Sequence, residues 1–299
     1  MVDSTEKTLT KLQQLLPPDP LLQEHFMHFC KMYEKELKRR DKIFKQTDRQ
    51  QRQLAELNDK ILQQKDELSK LHNYNLEQQH IAKEKLESII VNDYDSAKCK
   101  VDIIYKPADV LSGDFYSLLR LKDGSLLVYL LDGQGHGFSS ALTIFSVSST
   151  IAGLVTAVEN FDELIDKLFP KVKNFLGEIE QLSFLLLNIS ADYKEFSYTS
   201  GGLYPFLVKT EEEILRIKSN NLPFMNFSPT PKITTQSMNE WKSLILYTDG
   251  LVEEIGEELS EFNPVDILKS DRLFQKAYET LMQNSYEDDI TVLKISKKG

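Results

Sequence analysis

The chain has 299 residues and a net charge of −10, with 46 acidic against 36 basic side chains. This length allows one large domain or two of modest size. The acidic balance argues against a nucleic-acid partner, because binding to a phosphate backbone requires clustered Lys and Arg. Two widely separated cysteines, Cys30 and Cys99, fit a reducing cytoplasm better than a disulfide framework.

No membrane association is expected. Residues 1–11 are polar and do not form a signal peptide. The most apolar stretch, 142–158, is slightly short for a membrane span and contains several Ser and Thr residues. We therefore predict a buried core helix there and a cytoplasmic protein.

Glycine, proline and charge divide the chain into two halves. All 12 glycines lie at or beyond Gly113, and residues 21–106 contain neither Gly nor Pro. Residues 1–98 carry 17 basic and 17 acidic side chains, so the rest of the chain accounts for the whole net charge. The first half is therefore expected to be a polar helical region, and the second half a separate domain with many turns.

The first half predicts a short helix over 5–16 and then a long one. The sequence "PPDP" ends the short helix, and Asp19 as N-cap with Pro20 at the first helical position starts the long one. Apolar residues recur in a heptad pattern that is strongest between Leu54 and Leu71. The two seam positions are occupied by Leu54, Ile61, Leu68, Asn75, Ala82 and Ile89, and by Leu57, Gln64, Leu71, Gln78 and Lys85.

Such a helix has little of its own chain to pack against, so we expect a homodimeric coiled coil. Asn75 at a seam position favours a parallel, in-register pair. The predicted organisation is a short helical segment over 1–30, a coiled-coil linker over 31–95 and a globular domain over 98–296.

The second half reads as short strands with a few helices. Consecutive strands joined by tight turns indicate antiparallel sheets, with helices added outside them. Strands are predicted at 100–105, 115–121, 125–131, 182–189, 195–199, 206–209, 214–217, 243–247 and 290–295, and helices at 139–157, 162–176 and 265–283.

The sequence "DGQGHG", beginning at Asp132, follows the apolar run 126–131 and precedes a predicted apolar helix. An aspartate at this point is partly buried, which is unfavourable unless a cation or several donors satisfy it. Glycines next to it allow a ligand or another backbone to come close. By contrast, Asp123-Gly124 is flanked by polar residues and predicts an ordinary hairpin turn.

Three further acidic positions lie at the ends of strands. Asp114 begins the strand before the hairpin, Asp249 follows another apolar strand, and Asp288 with Asp289 precedes the last strand. Taken singly, each also fits a turn or a capped loop. Together they suit hard cations that prefer oxygen ligands, such as Mg²⁺ or Mn²⁺.

The motifs "SGDFY", "LLDGQGHG", "LYTDGLVEE" and "EDDITVL", in this order and spacing, resemble those of the PPM-type metal-dependent protein Ser/Thr phosphatases. The resemblance is specifically to the bacterial SpoIIE/RsbU-like branch and covers about residues 98–296. It implies an α+β fold, in which two antiparallel sheets form a β-sandwich between pairs of helices. In this chain a long helical coiled coil would precede that domain.

The resemblance also implies a centre of two divalent cations, Mn²⁺ or Mg²⁺. Asp132 would bridge both cations and position the attacking hydroxide, which makes it the catalytic residue. The Gly133 carbonyl and Asp114 would serve the second cation, and Asp249 and Asp288 would hold the first.

Other residues of the motifs are given supporting roles by the same resemblance. Asp289 would support the metal ligands without contacting a cation. Gly135, His136 and Gly137 would shape the turn into the first core helix, and His136 is not expected to be a ligand. The chain departs from the family pattern at Gly202, where relatives often have His in Ala-Gly-His-x-Pro.

The implied activity is hydrolysis of phosphoserine or phosphothreonine in a partner protein. In this branch the partner is typically an anti-sigma-factor antagonist of a partner-switching pathway. Because residues 1–30 are too short for a typical sensor domain, we expect an activating protein to dock on the N-terminal helices.

Two alternative functions also fit parts of the sequence. A histidine-kinase-like signalling protein could also combine a coiled coil with a glycine-rich loop. Its nucleotide box requires Asp-x-Gly-x-Gly, however, and Gln134 stands where the first glycine belongs. A catalytically inactive phosphatase fold acting as a dimeric scaffold is the other alternative, and metal-dependent phosphatase activity separates the three.

Overall fold

The computed structural model describes residues 8, 10–12, 15, 19–87, 94–135, 137–237, 240–253 and 263–298. The chain forms two compact units, Met1–Tyr74 and Asn75–Gly299. His136, most of the helix predicted over 5–16 and residues 254–261 of the acidic stretch lie outside the described residues.

Helix α1, Pro20–Glu87, accounts for nearly all of the described first half. It begins as the sequence predicts, because the Leu21 amide donates to Asp19 Oδ1 over 3.0 Å. The helix continues without interruption past residue 30, where the sequence suggested a division between a helical segment and a linker.

The second unit contains two antiparallel sheets. Their strands are β1 (Tyr94–Asp95), β2 (Cys99–Lys106), β3 (Asp114–Arg120), β4 (Leu126–Gly133), β5 (Leu182–Ile189), β6 (Glu195–Gly201), β7 (Phe206–Lys209), β8 (Ile214–Ile217), β9 (Thr234–Ser237), β10 (Ser243–Tyr247) and β11 (Ile290–Lys297). One sheet has the order β1-β2-β11-β10-β7-β8, and the other has the order β3-β4-β5-β6-β9. The hairpin β3–β4 closes at Asp123-Gly124, as predicted.

Helices cover the outer face of each sheet. They are α2 (Phe138–Val155), α3 (Phe161–Val172), α4 (Gly250–Glu253), α5 (Pro264–Lys269) and α6 (Asp271–Gln283). Helix α2 packs on β3, β4 and α3, whereas α5 packs on β7 and β10 and α6 contacts β2. The predicted α+β sandwich with helices on both sides is therefore confirmed.

Two apolar clusters hold these layers together. The larger one joins the facing sides of the sheets to α2 and α3, and includes Phe169, Phe184 and Phe224, whose rings contact one another. The smaller one fills the space between the β10–β11 sheet and helices α5 and α6. Both the sheets and their helical covers are thus fixed by apolar burial.

The prediction of a single helix over 265–283 is wrong. Ser270 has an extended conformation (φ −142°, ψ 127°) and separates α5 from α6. Its hydroxyl oxygen accepts a hydrogen bond from the Leu273 amide, so Ser270 is the N-cap of α6. A serine is a common N-cap residue, but the apolar periodicity continues on both sides of Ser270 and so predicted one helix.

Helix α2 is the one described helix whose length and composition would suffice to cross a membrane. One face of this helix packs on the sandwich, and 44% of the relevant window is buried. Its outer face exposes Phe138, Leu142 and Phe145.

Gly201, at the end of β6, is required by close backbone packing. A Cβ added there would collide with the carbonyl of Leu222 and lie 2.8 Å from the Phe184 ring. We expect Gly201→Ala to lower the free energy of unfolding by about 1–3 kcal/mol, the usual effect of overpacking. Chemical denaturation followed by circular dichroism measures this change.

Gly153→Ala is the matched control for this substitution. Gly153 lies in α2 with open space where a Cβ would be, so alanine should raise helix stability by up to about 1 kcal/mol. Equal stability of the two variants would contradict the close packing at Gly201.

Candidate metal centre

Asp114 and Asp132 face each other across the pair β3–β4. They are register partners at the first residue of β3 and near the end of β4. Directly opposed residues of an antiparallel pair have Cα atoms about 4.5–5.5 Å apart and point to the same face. The hairpin therefore places these two carboxylates side by side.

Asp114 also connects this sheet to the other one. Its side chain is buried, and Asp114 Oδ2 accepts hydrogen bonds from Thr248 Oγ1 at 2.8 Å and from Thr291 Oγ1 at 2.7 Å. Thr248 directly follows β10 and Thr291 belongs to β11. The carboxylate thus fixes one end of the sandwich, where three strands of two sheets meet.

Asp249 and Asp288 come to the same end from the β10–β11 pair. The amide of Thr248 donates to the Thr291 carbonyl at 3.1 Å, which extends the strand pairing up to Asp249. Gly250 then packs so closely on Asp289 that an added Cβ would collide with its carbonyl oxygen. The glycine after Asp249 is therefore needed to bring the two chain segments together.

The carboxylates influence one another electrostatically. Burial, together with the neighbouring charge of Asp132, raises the pKa of Asp114 well above its usual range. Burial and the charges of Asp249 and Asp288 raise the pKa of Asp132 to about 8. The pKa of Asp249 is raised by burial and by Asp288. The four side chains thus share one environment, in which their mutual repulsion favours binding of a cation.

Asp289 has a different environment from Asp288. It is buried, and its two oxygens accept hydrogen bonds from the amides of Ala108, at 2.8 Å, and Gly113, at 2.6 Å. It therefore anchors the loop that leads into Asp114. The supporting role expected for Asp289 stays a prediction.

The three glycines after Asp132 serve two different purposes. Gly133 must lack a side chain, because an added Cβ would collide with Ser140 Oγ. Gly135 and Gly137 have φ values of 78° and 94°, which L side chains rarely adopt. The turn therefore depends on glycine for space at its start and for backbone conformation at its end.

The donor chemistry of this end of the sandwich fits Mg²⁺ or Mn²⁺, since it consists of carboxylate, hydroxyl and backbone oxygens. The buried Ser140 hydroxyl also lacks a hydrogen-bond partner among the described residues. Within the described ranges of the chain, no three His, Cys, Asp or Glu side chains lie close enough together to hold a metal ion. The ligands are thus gathered at one end without forming a finished cage.

Gly202, where the chain departs from the family pattern, packs against a neighbour of Asp132. Gly202 has a φ of 82°, and a Cβ there would lie 2.7 Å from Ser183 Oγ. Ser183 is the register partner of Asp132 on β5, and its hydrogen bond lowers the pKa of Asp132 against the other influences. A larger residue at 202 would disturb this neighbour of Asp132.

Four residues that lie next to the carboxylates or to their flanking glycines were not predicted from the sequence: Thr248, Thr291, Ser183 and Ser140. Thr248 and Thr291 carry a weak signal, since each is a polar residue at or inside an otherwise apolar strand segment. Ser183 and Ser140 carry none, because their proximity depends on the pairing of β4 with β5 and on the packing of α2.

Comparison with solved structures supports the fold assignment. The SiaA-PP2C domain of Pseudomonas aeruginosa has a TM-score of 0.58 at 16% identity, over 75% of this chain and 97% of that one. The RsbU and RsbW domains of Rv1364c from Mycobacterium tuberculosis have a TM-score of 0.57 at 22% identity, over 68% of this chain and 62% of that one. These likenesses show a PP2C-type fold.

Comparison of the sequence with known proteins and with a family model identifies the family of this chain. The phosphoserine phosphatase RsbP of Bacillus subtilis (strain 168) is 25% identical over 179 residues, which are 58% of this chain and 43% of that protein. The chain thus spans less than half the length of this relative. The family model described as Stage II sporulation protein E (SpoIIE) matches residues 122–298. Because this match covers more than half of the chain, the protein belongs to the SpoIIE family.

Proposed function

We propose that the protein is a metal-dependent protein Ser/Thr phosphatase. The observation that carries this proposal is the convergence of Asp114, Asp132, Asp249 and Asp288 from two sheets, with raised pKa values in three of them. A protein gathers buried like charges in this way at a functional site more often than for stability. Membership of the SpoIIE family agrees with the proposal.

The cations would be held by Asp132 as the bridging ligand, by Asp114 with the Gly133 carbonyl, and by Asp249 with Asp288. When bound, a pair of divalent cations polarises the phosphate and lowers the pKa of water enough for attack near neutral pH. The chain itself contributes orientation. Thr248 and Thr291 hold the Asp114 carboxylate in place, and Asp289 holds the loop before it.

Asp132→Asn and Asp249→Asn are expected to lower Mn²⁺-dependent hydrolysis of p-nitrophenyl phosphate by at least about 100-fold. Each change removes a negative charge from the centre while preserving side-chain size, so cation binding weakens. Steady-state kinetics with a Mn²⁺ titration measures the effect.

The matched control is Asp123→Asn. Asp123 is a strand-end aspartate too, but it belongs to the β3–β4 hairpin turn, where it accepts hydrogen bonds from Ser125. The Asp123→Asn variant should therefore retain wild-type activity. Full activity of the Asp132 variant, or wild-type activity in excess EDTA, would overturn the metal-dependent mechanism.

The substrate in this proposal is a partner protein that carries phosphoserine or phosphothreonine, and specifically an anti-sigma-factor antagonist. The names of two similar proteins support this class, since one is a phosphoserine phosphatase and another contains RsbU and RsbW domains.

We also assign the protein to the cytoplasm, on the basis of its composition and its two free cysteines.

A catalytically inactive scaffold is the second candidate function. The observation that favours it is the lack of a preformed ligand cage among the described residues. The kinetic experiment decides between the candidates, because a scaffold would show no Mn²⁺-dependent activity in the wild-type chain.

We further propose that α1 mediates homodimerisation. The seam residues Leu54, Ile61 and Leu68 are more than half exposed in the single chain, at 65%, 51% and 69%. Before residue 54 the seam is diluted, since Thr47 and Arg40 occupy the Leu54 position. An exposed apolar seam over residues 54–71 favours pairing with a second copy.

Ile61→Lys should convert a dimer into a monomer, because it places two like charges within the apolar seam. Sedimentation equilibrium measures the change in mass. Leu62→Lys is the control, since Leu62 is an equally exposed neighbour, at 63%, that lies off the seam. An unchanged dimer for both variants would rule out this seam.

We also propose that an activating protein binds the N-terminal part of α1, where Leu22, Met27 and Phe29 are exposed. Removal of residues 1–74, the first compact unit, is then expected to change the phosphatase rate several-fold. Phosphate release by the 75–299 chain and the full chain measures this. Identical rates would show that the first unit does not regulate activity.

A further inference from the structure

We propose that Ile179, Leu222 and Phe227 form an apolar loop surface that binds the protein substrate beside its phosphorylated residue. The occupant is a protein that carries apolar side chains next to phosphoserine or phosphothreonine. This inference rests on the proposed function and deepens it, since it concerns how the partner protein is recognised.

The connection that carries Ile179 is joined to the turn after Asp132. Strand β5 begins opposite Gly133. Just before this strand, the Gln181 amide donates to Gln134 Oε1 at 3.2 Å, and the Gln134 amide donates to the Gln181 carbonyl at 3.4 Å. Ile179, two residues earlier, therefore lies at the end of the sandwich that carries the aspartates.

Leu222 and Phe227 belong to the connection between β8 and β9, which lies beside the same strand. Phe224 forms an antiparallel bridge with Leu182, and the two residues exchange backbone hydrogen bonds of 2.9 Å. In an antiparallel pair, residues after Phe224 run alongside residues before Leu182. The turn with Phe227 and the connection with Ile179 therefore leave the sheet from the same bridge.

The three residues have the most exposed large apolar side chains in the described part of the second unit. The exposed fractions are 84% for Ile179, 83% for Leu222 and 71% for Phe227. The β3–β4, β5–β6 and β7–β8 connections lie at the opposite end, are described throughout and expose no large apolar side chain. Single exposed apolar residues are ordinary, but a group of them at one end of a domain indicates an interaction site.

Hydrogen bonds hold the β8–β9 connection in a defined conformation. The side chain of Asn221 accepts from the Lys232 amide at 2.7 Å and donates to the Thr199 hydroxyl at 3.1 Å. The ring of Phe224 is buried in the larger apolar cluster. A surface that is ordered before binding loses little conformational entropy when a partner docks on it.

The position and charge of this surface identify its occupant. A protein whose phosphoserine reaches the candidate metal centre must place the flanking residues against this end of the sandwich. Residues 218–233 contain Lys218 and Lys232 but neither Asp nor Glu, although the second half of the chain carries the whole net charge of −10. An anionic phosphoprotein is thus repelled less by this loop than by the rest of the domain, and apolar contacts add affinity.

Two synthetic phosphoserine peptides of equal length and charge test the proposal in the full chain. One peptide carries Leu and Phe on both sides of the phosphoserine, and the other carries Ser and Gly at the same positions. Mn²⁺-dependent phosphate release should give a kcat/KM about 10-fold or more higher for the apolar peptide, mainly through a lower KM, because apolar burial favours its binding. In the double variant Leu222→Ser, Phe227→Ser, this ratio should fall to about 1, because the apolar contacts are lost.

Tyr278→Ser is the matched control, since Tyr278 is an exposed aromatic residue on helix α6 and not on these loops. It should keep the wild-type ratio. A ratio near 1 in the wild type, or an unchanged ratio in the double variant, would overturn the docking surface and leave the phosphatase activity in place. If the double variant kept the ratio but had a lower mass in sedimentation equilibrium, a second copy of the chain would occupy the surface and the proposal would fail. A lack of Mn²⁺-dependent release from both peptides would overturn the proposed function, and this inference with it.

Discussion

The structure depends on carboxylates that are buried at the point where two sheets meet. Asp114 is the central one, since it belongs to one sheet and is held by Thr248 and Thr291 of the other. Apolar packing brings the sheets together, but these hydrogen bonds fix their relative position at this end. The same contacts place Asp114 beside Asp132, where two negative charges are unfavourable without a cation. The proposed cation would therefore relieve a repulsion that destabilises this end of the sandwich.

Much of the fold could be predicted from local patterns. Strand β5 at 182–189 and strand β10 at 243–247 have the predicted bounds, because their apolar runs are bounded by turn residues. The start of α1 at Pro20 followed from its cap. The strands Tyr94–Asp95 and Thr234–Ser237 were not predicted, because short polar edge strands lack an apolar pattern and exist only through pairing with a neighbour.

For the candidate site, the sequence predicted the aspartates but not the residues that surround them. The sequence shows aspartates at the ends of apolar strands. In the structure Asp249 and Asp288 lie close enough to Asp132 for their charges to raise its pKa. The metal roles assigned to them stay predictions. Their neighbours could not be predicted, because Ser183 lies beside Asp132 only through the register of β4 with β5, and Ser140 reaches Gly133 only through the packing of α2. Local sequence can show which side chains have an unusual setting, but not which neighbours will satisfy them.

In the proposed metal centre, the two threonine hydrogen bonds to Asp114 would influence which cation binds. Because Thr248 and Thr291 both donate to Oδ2, the carboxylate is prevented from wrapping a cation with both oxygens. Calcium favours seven or eight oxygens at longer distances and often uses such two-pronged carboxylates, whereas magnesium accepts single oxygens in an octahedron. A pair of hydroxyl groups that touch no ion would thus disfavour the larger ion at this position.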